Sequence, residues 1–179
     1  MRMTKTLARV VIGGLFIGHG TQKLFGWFGG GGLDKTAQGF ESMGMRPGKQ
    51  QALLGGGAET LGGAMLALGL LTPLSAAALS GVMVTAIRKV HLANGPWASN
   101  GGYEYNLVLL TALALLTEHG PGELSLDSAL GLETSGAGWA IAEVAAGTAG
   151  SLLSERIGMA LAAQTTSEPE PAAAEAEAA

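Results

Sequence analysis

No cysteine occurs anywhere in the chain, which excludes disulfides, thiolate metal ligands and CxxC redox chemistry. Charge is scarce too: Asp, Glu, Lys and Arg make up 13% of the 179 residues, against about 25% in soluble domains. The few charges are unevenly placed. Beyond Ser154 five acids (Glu155, Glu168, Glu170, Glu175, Glu177) meet one base, Arg156, while the preceding residues hold nine of each sign. The body is therefore neutral, and the net charge of −4 belongs to the C-terminal segment. A basic surface is absent, so nucleic acid is not an expected partner.

What the chain has in quantity is apolar residues, 47%, and 30 glycines. Crossing a bilayer takes roughly 20 apolar residues in a helix at about 1.5 Å each. Four stretches meet that need, at about 6–27, 52–72, 73–93 and 102–118. Soluble helices would show polar faces, and the last three of these have almost none. Arg2, Lys5 and Arg9 precede the first run as in a signal peptide, but His19 to Phe28 is polar and aromatic rather than a small-residue cleavage site. The sequence thus predicts an all-α, multi-pass membrane domain over 1–132 built as a four-helix bundle.

The connections constrain the bundle. "LLTPL" (Leu70–Leu74) leaves only a tight turn between spans two and three, with Pro73 where a missing N–H costs little. Loop one holds "LDKTAQGFESMGM" (Leu33–Met45), an amphipathic pattern that predicts a short interfacial helix ended at Pro47. Aromatic residues gather at that end: Phe25, Trp27, Phe28, Phe40, Trp97, Tyr103 and Tyr105 form an interfacial belt. Gly14/Gly18, Ala58/Gly62 and Gly63/Ala67 are small-residue pairs at helical spacing, suited to close packing.

"LFIGHGTQKLFGWFGGGG" (Leu15–Gly32) sets polar groups inside an apolar run. His19, Gln22 and Lys23 share one helix face. Glu59 falls about 10 Å into span two from the same side. Arg88, Lys89 and His91 end span three there, and Glu104 begins span four. An unpaired charge in hydrocarbon costs several kcal/mol, so such groups face inward, pair, or line water. The expected arrangement is a buried cluster in which Glu59 and Glu104 oppose Lys23 and Arg88. Lys89 is expected instead to snorkel to the headgroups, and a carboxylate as deep as Glu59 is too short to do so.

Three segments resemble the DoxX family of small four-helix membrane proteins. These are "GHGTQKLFGWFGGGG" (Gly18–Gly32), "GGGAETLGGAMLALGLLTPLSAAAL" (Gly55–Leu79) and "GPGELSLDSALGL" (Gly120–Leu132), in the family's order and spacing. The resemblance covers about 5–132 and implies a bacterial or archaeal inner-membrane protein. It also implies a link to quinone-coupled sulfur oxidation and to membrane oxidoreductase complexes that handle oxidative stress.

Two functions remain open on these residues. In the first, the protein is the membrane subunit of an oxidoreductase system whose cluster binds a quinone. Glu59 and His19 would exchange protons there, while Gln22, Lys23, Arg88, His91 and Glu104 would bind the ligand. In the second, it is a non-catalytic membrane subunit or a small-molecule carrier, and the cluster is structural or a permeation path. Quinone is the cofactor class that fits. Haem or metal is not expected, because only His19 and His91 could face each other and metals need three or four ligands. Expected partners are the lipid bilayer, proteins of a membrane oxidoreductase complex and further copies of the chain in a homo-oligomer. Counting Lys and Arg does not decide which loops face the cytoplasm.

Beyond Glu133 the chain changes character. Residues 133–163 predict an amphipathic helix lying on the membrane surface, with a weak fifth span over 137–153 as the alternative. "QTTSEPEPAAAEAEAA" (164–179) is acidic and low in complexity, and predicts a disordered tail.

Overall fold

The structure is a computed structural model that describes residues 2–132 and 134–167. Those residues are all-helical, with no strand among them. The helices are α1 (Arg2–Phe25), α2 (Gly32–Ser42), α3 (Gly48–Leu68), α4 (Thr72–Ala86), α5 (Glu104–His119), α6 (Leu126–Ala129) and α7 (Ala137–Ser167). The end of the bundle where α1 stops and α3 begins is called here the lower end.

Helix α1 packs lengthwise on α3, and glycine sets how closely. A Cβ on Gly13 would stand 2.4 Å from the Gly63 carbonyl oxygen, and one on Gly20 would stand 2.6 Å from that of Gly56. These four positions, seven apart on each helix, let the backbones touch. Of the small-residue pairs that sequence spacing marks, Gly63/Ala67 lies against Gly13, whereas Gly14 and Gly18 have nothing within 4 Å. A spacing of four marks a helix face but does not say which face meets a neighbour.

The α3–α4 turn is held by a segment far along the chain. Gly69 takes a left-handed conformation (φ +63°) that lets its N–H and that of Leu70 bond back to Leu66 and Met65. Leu71 is also left-handed, at φ +46°. Asp127 secures it by accepting from Leu71 N at 2.6 Å, Thr72 N at 2.9 Å and Thr72 Oγ1 at 2.7 Å. Asp127 therefore caps α4 in place of a local residue. Arg9, fully buried, closes the same end by donating to the carbonyls of Ala67 (3.2 Å) and Leu124 (2.6 Å).

Between the helices lies an apolar core of Phe16, Leu66, Ala76, Leu79, Met83, Leu113 and Leu116. Large apolar residues also cover the outside, including Val10 and Val11 on α1, Leu61 on α3, Val108 on α5 and Ile141 on α7. Buried polar residues sit inside: Gln51, Glu59, Ser80, Asn106 and Glu143. Such an arrangement suits a solvent of low polarity.

One helix among the described residues is both long and apolar enough to cross a membrane, Thr72–Asn94, which comprises α4 and its continuation. The others fall short for visible reasons. Helix α5 has 16 residues, α3 is diluted by glycine, and α1 carries Arg2, Lys5, Arg9 and Lys23.

The C-terminal extension departs from the surface helix that the sequence favours. Helix α7 packs lengthwise against α4 and also touches α5. Glu143 is 2% exposed, and its Oε2 accepts from Ser80 Oγ at 3.0 Å. Gly147 lets α7 approach so closely that a Cβ there would stand 2.7 Å from the Ala77 carbonyl oxygen. The bundle thus has a fifth long helix where the sequence predicts four. Residues 164–167 still belong to α7, and the remainder of the expected tail lies outside the described residues.

Candidate functional site

A cavity of about 750 Å³ opens toward the lower end, bordered by α1, α2, α3, α4, α5 and α7. Its walls are mainly apolar, with Phe16, Phe40, Leu54, Val82 and Leu109 among them. A cavity of this size, apolar with a few convergent polar groups, is the usual form of a small-molecule site.

Its central polar feature is an ion pair. Lys23 Nζ on α1 lies 2.5 Å from Glu59 Oε2 on α3. Glu59 is 2% exposed, whereas the Lys23 side chain is 27% exposed. The carboxylate is thus sealed between helices, and the ammonium faces the cavity with protons to spare. His19, one turn before Lys23 on the same face, also borders the cavity.

Helix α4 brings the second set of groups. Its α-helical part gives way to a π-helical turn over Ile87–His91. A π turn holds an extra residue and re-aims the side chains beyond it, and such turns are frequent at functional sites. Lys89 and His91 border the cavity. His91 Nδ1 shares a hydrogen bond of 2.7 Å with the Gly101 carbonyl oxygen, fixing the ring against the α4–α5 loop.

Arg88 points elsewhere. Its Nη2 lies 2.9 Å from Glu155 Oε2 on α7, and Nη1 donates to Ser151 Oγ at 3.3 Å. Lys89 binds the other oxygen of the same carboxylate. Glu155 lies just past the apolar stretch 137–153. The Lys89 hydrogen bond, with further help from Arg88, holds its carboxyl below the usual range despite partial burial.

The expected cluster is therefore split. Lys23 and Glu59 meet as a pair, but Glu104 opposes neither Arg88 nor Lys23. Its Oε1 accepts from Ala98 N at 2.6 Å and ties up the α4–α5 loop. Gln22 reaches the Phe28 carbonyl oxygen at 3.4 Å and borders no part of the cavity. Lys89, expected to snorkel, is held by Glu155 beside the cavity.

Some polar cavity residues went unread in the sequence. Gln51 Nε2 donates to the Ser154 carbonyl at 3.0 Å, Thr85 and Ser151 join hydroxyls at 2.7 Å, and Asn106 Nδ2 contacts Met83 Sδ at 3.4 Å. Ser151 lies on α7, whose position the sequence does not give, and no motif marks Gln51, Thr85 or Asn106. Among the described residues no group of three or more His, Cys, Asp or Glu could hold a metal.

These features define a class: an all-α bundle with one membrane-length helix among the described residues, enclosing a mainly apolar cavity edged by ion pairs. Residues 4–92 match the DoxX family, and the chain belongs to this family of membrane proteins. The matched stretch takes in α1 to the π turn of α4, and so the Lys23–Glu59 pair; α5 to α7 lie beyond it. No curated protein and no solved structure matches the chain.

Proposed function

We propose that the protein is a multi-pass inner-membrane subunit of an oxidoreductase system whose cavity binds a quinone. The observation that carries this reading is the Lys23–Glu59 pair at the wall of a mainly apolar cavity of about 750 Å³. In this reading α1, α3, α4 and α5 span the bilayer, and residues 137–153 of α7 cross beside α4. The outward apolar side chains of these helices support that placement.

Lys23 donates to one ligand oxygen through the protons that Glu59 leaves free. His19, on the same face, carries a proton between the ligand and solvent, and Glu59 sets the charge of the pair as that proton moves. His91 and Lys89 stand on the α4 side, where they can meet the second oxygen. Arg88 and Glu104 take structural roles, one holding α7 and the other the α4–α5 loop. Electrons come from a redox partner protein in the membrane complex.

The test is titration of reconstituted protein with a ubiquinone or menaquinone analogue, followed by quenching of tryptophan fluorescence. Binding should saturate, and Lys23→Met or His19→Ala should weaken it about tenfold, as expected for a lost charge-assisted hydrogen bond. Non-saturable binding, or both variants binding like wild type, would overturn the reading.

A second reading, a non-catalytic subunit or carrier, draws on one observation. Lys23 and Glu59 neutralise each other, and Arg88 and Lys89 are both already held by Glu155, so each of these cations has a partner without a ligand. A purified protein whose organic extract holds only phospholipid would favour it.

A further inference from the structure

The cavity has a smaller neighbour. Between the start of α3 and the second half of α7 runs a groove of about 410 Å³, lined by Pro47, Leu153, Ile157 and Leu161 among others. Gln51, Leu54, Gly150 and Ser154 line both spaces, so the two adjoin. Part of the partition is bonded shut by the Gln51 Nε2 hydrogen bond to Ser154 O. One turn further on, Gly158 lies so close to Arg46 that a Cβ would stand 2.3 Å from its carbonyl oxygen, which pins α7 to the foot of α3. At Gly150 a Cβ would meet nothing within 4 Å. The groove's apolar walls, Leu54, Leu153, Ile157 and Leu161, are exposed on the outside of the bundle.

We propose that this groove holds the hydrocarbon tail of the ligand whose polar head occupies the cavity, the tail passing Gly150 and leaving between α3 and α7. The inference rests on the ligand reading above and narrows the ligand class. The ligand is a two-part amphiphile, a ring-sized polar head on a long isoprenoid or alkyl chain, rather than a compact water-soluble molecule. The head has its donors at Lys23, His19 and Lys89, and the chain needs an apolar exit that costs no buried hydrogen bond. Gly150 supplies that exit, because Gln51 and Ser154 keep their bond beside it. Since α7 forms one whole wall of both spaces, the tail site belongs to this chain's C-terminal extension.

The experiment compares a tailless benzoquinone with the same head carrying a decyl chain, using full-length protein in nanodiscs. Leucine at Gly150 fills the opening without a backbone clash, and Gly14→Leu places the same side chain in open space on α1 as a control. Wild type and Gly14→Leu should bind both compounds. Gly150→Leu should bind the tailless compound as wild type does and lose about tenfold for the decyl compound. A diazirine at the chain terminus should label wild-type peptides containing Leu153 or Ile157, a result that stands even if Gly150→Leu fails to fold. The proposal is overturned if Gly150→Leu binds both compounds normally, as it would were a bilayer acyl chain the groove's occupant. Label recovered on α1, α2 or α5 overturns it too. Absence of saturable binding of either compound to wild type is a different failure: it removes the head site itself, and the tail site with it.

Discussion

Arg88 on α4 reaches Glu155 on α7 across 2.9 Å, and Lys89, its neighbour in the same π turn, takes the other oxygen of that carboxylate. Two cations on successive residues thus depend on one acid. Glu155→Gln keeps the shape but leaves both cations facing each other uncompensated. It should cost about 1–3 kcal/mol, read as a lower melting temperature in detergent. Restoring balance with Arg88→Met in the same chain should recover part of the loss. The effect should depend on pH in one direction. Because the folded carboxyl sits below its unfolded value, the stabilisation is complete above about pH 5 and fades as pH falls through the lower folded value. The melting temperatures of wild type and Glu155→Gln should therefore converge in acid and stay apart at neutral pH.

The Lys23–Glu59 pair makes a sharper case, because Glu59 is sealed from solvent. Glu59→Gln leaves an ammonium without its counter-charge and should cost about 3 kcal/mol. Lys23→Met added to Glu59→Gln should regain part of this, since the resulting neutral pair of similar volume carries no buried charge. Equal stability of wild type and Glu59→Gln in a thermal melt would show that the pair does not hold the bundle together.

Two adjacent glycines on α1 should behave oppositely. Gly13→Ala drives a methyl into the Gly63 carbonyl oxygen and should cost about 1–3 kcal/mol by forcing α1 from α3. Gly14→Ala meets open space and should be neutral or stabilising by up to about 1 kcal/mol, the helical preference of alanine over glycine. Melting curves of the two single variants in one detergent would settle the register of the helix pair.

Asp127→Ala removes three acceptor bonds from the start of α4 and should destabilise by about 2 kcal/mol or more. Asp127→Asn should cost less, because its one carbonyl oxygen still accepts. With the anchor gone, the left-handed backbone at Leu71 is less firmly held, so Leu71→Gly should help more in the Asp127→Ala background than in wild type. Hydrogen exchange at the Leu71 and Thr72 amides would report the same loss locally.

Much of this was readable from residue order, for a physical reason. Apolar runs and the Thr72–Pro73 turn fix where helices begin and end, so α3, α4 and α5 lie near the stretches that hydropathy marks. Lys23 and Glu59 could be placed together because both lie at one depth in neighbouring helices. Arg88 departs from the expected pairing because its acid, Glu155, stands on a helix whose alanine content reads as a surface element. Its buried face rests on small residues, Gly147 and Ser151, that carry little hydropathy and still pack backbone to backbone. Glu104 was misassigned for a related reason: depth alone cannot tell a side chain turned inward from one turned to its own loop. Spacing alone likewise does not tell Gly13, which meets Gly63, from Gly14, which meets nothing.

The direction of α7 has a consequence for sidedness. Lys5 Nζ donates to the His119 carbonyl at the upper end, whereas Gly158 lies against Arg46 at the lower end. The beginning and the end of the described chain therefore sit at opposite poles of the bundle, because the number of long helices running between the poles is odd. Four long helices would have returned both to one pole. If the poles face different compartments, a reporter fused before Arg2 and one fused after Ser167 should give opposite signals in whole cells. A phosphatase, active only outside the cytoplasm, and a fluorescent protein, bright inside it, would turn that parity into a direct reading.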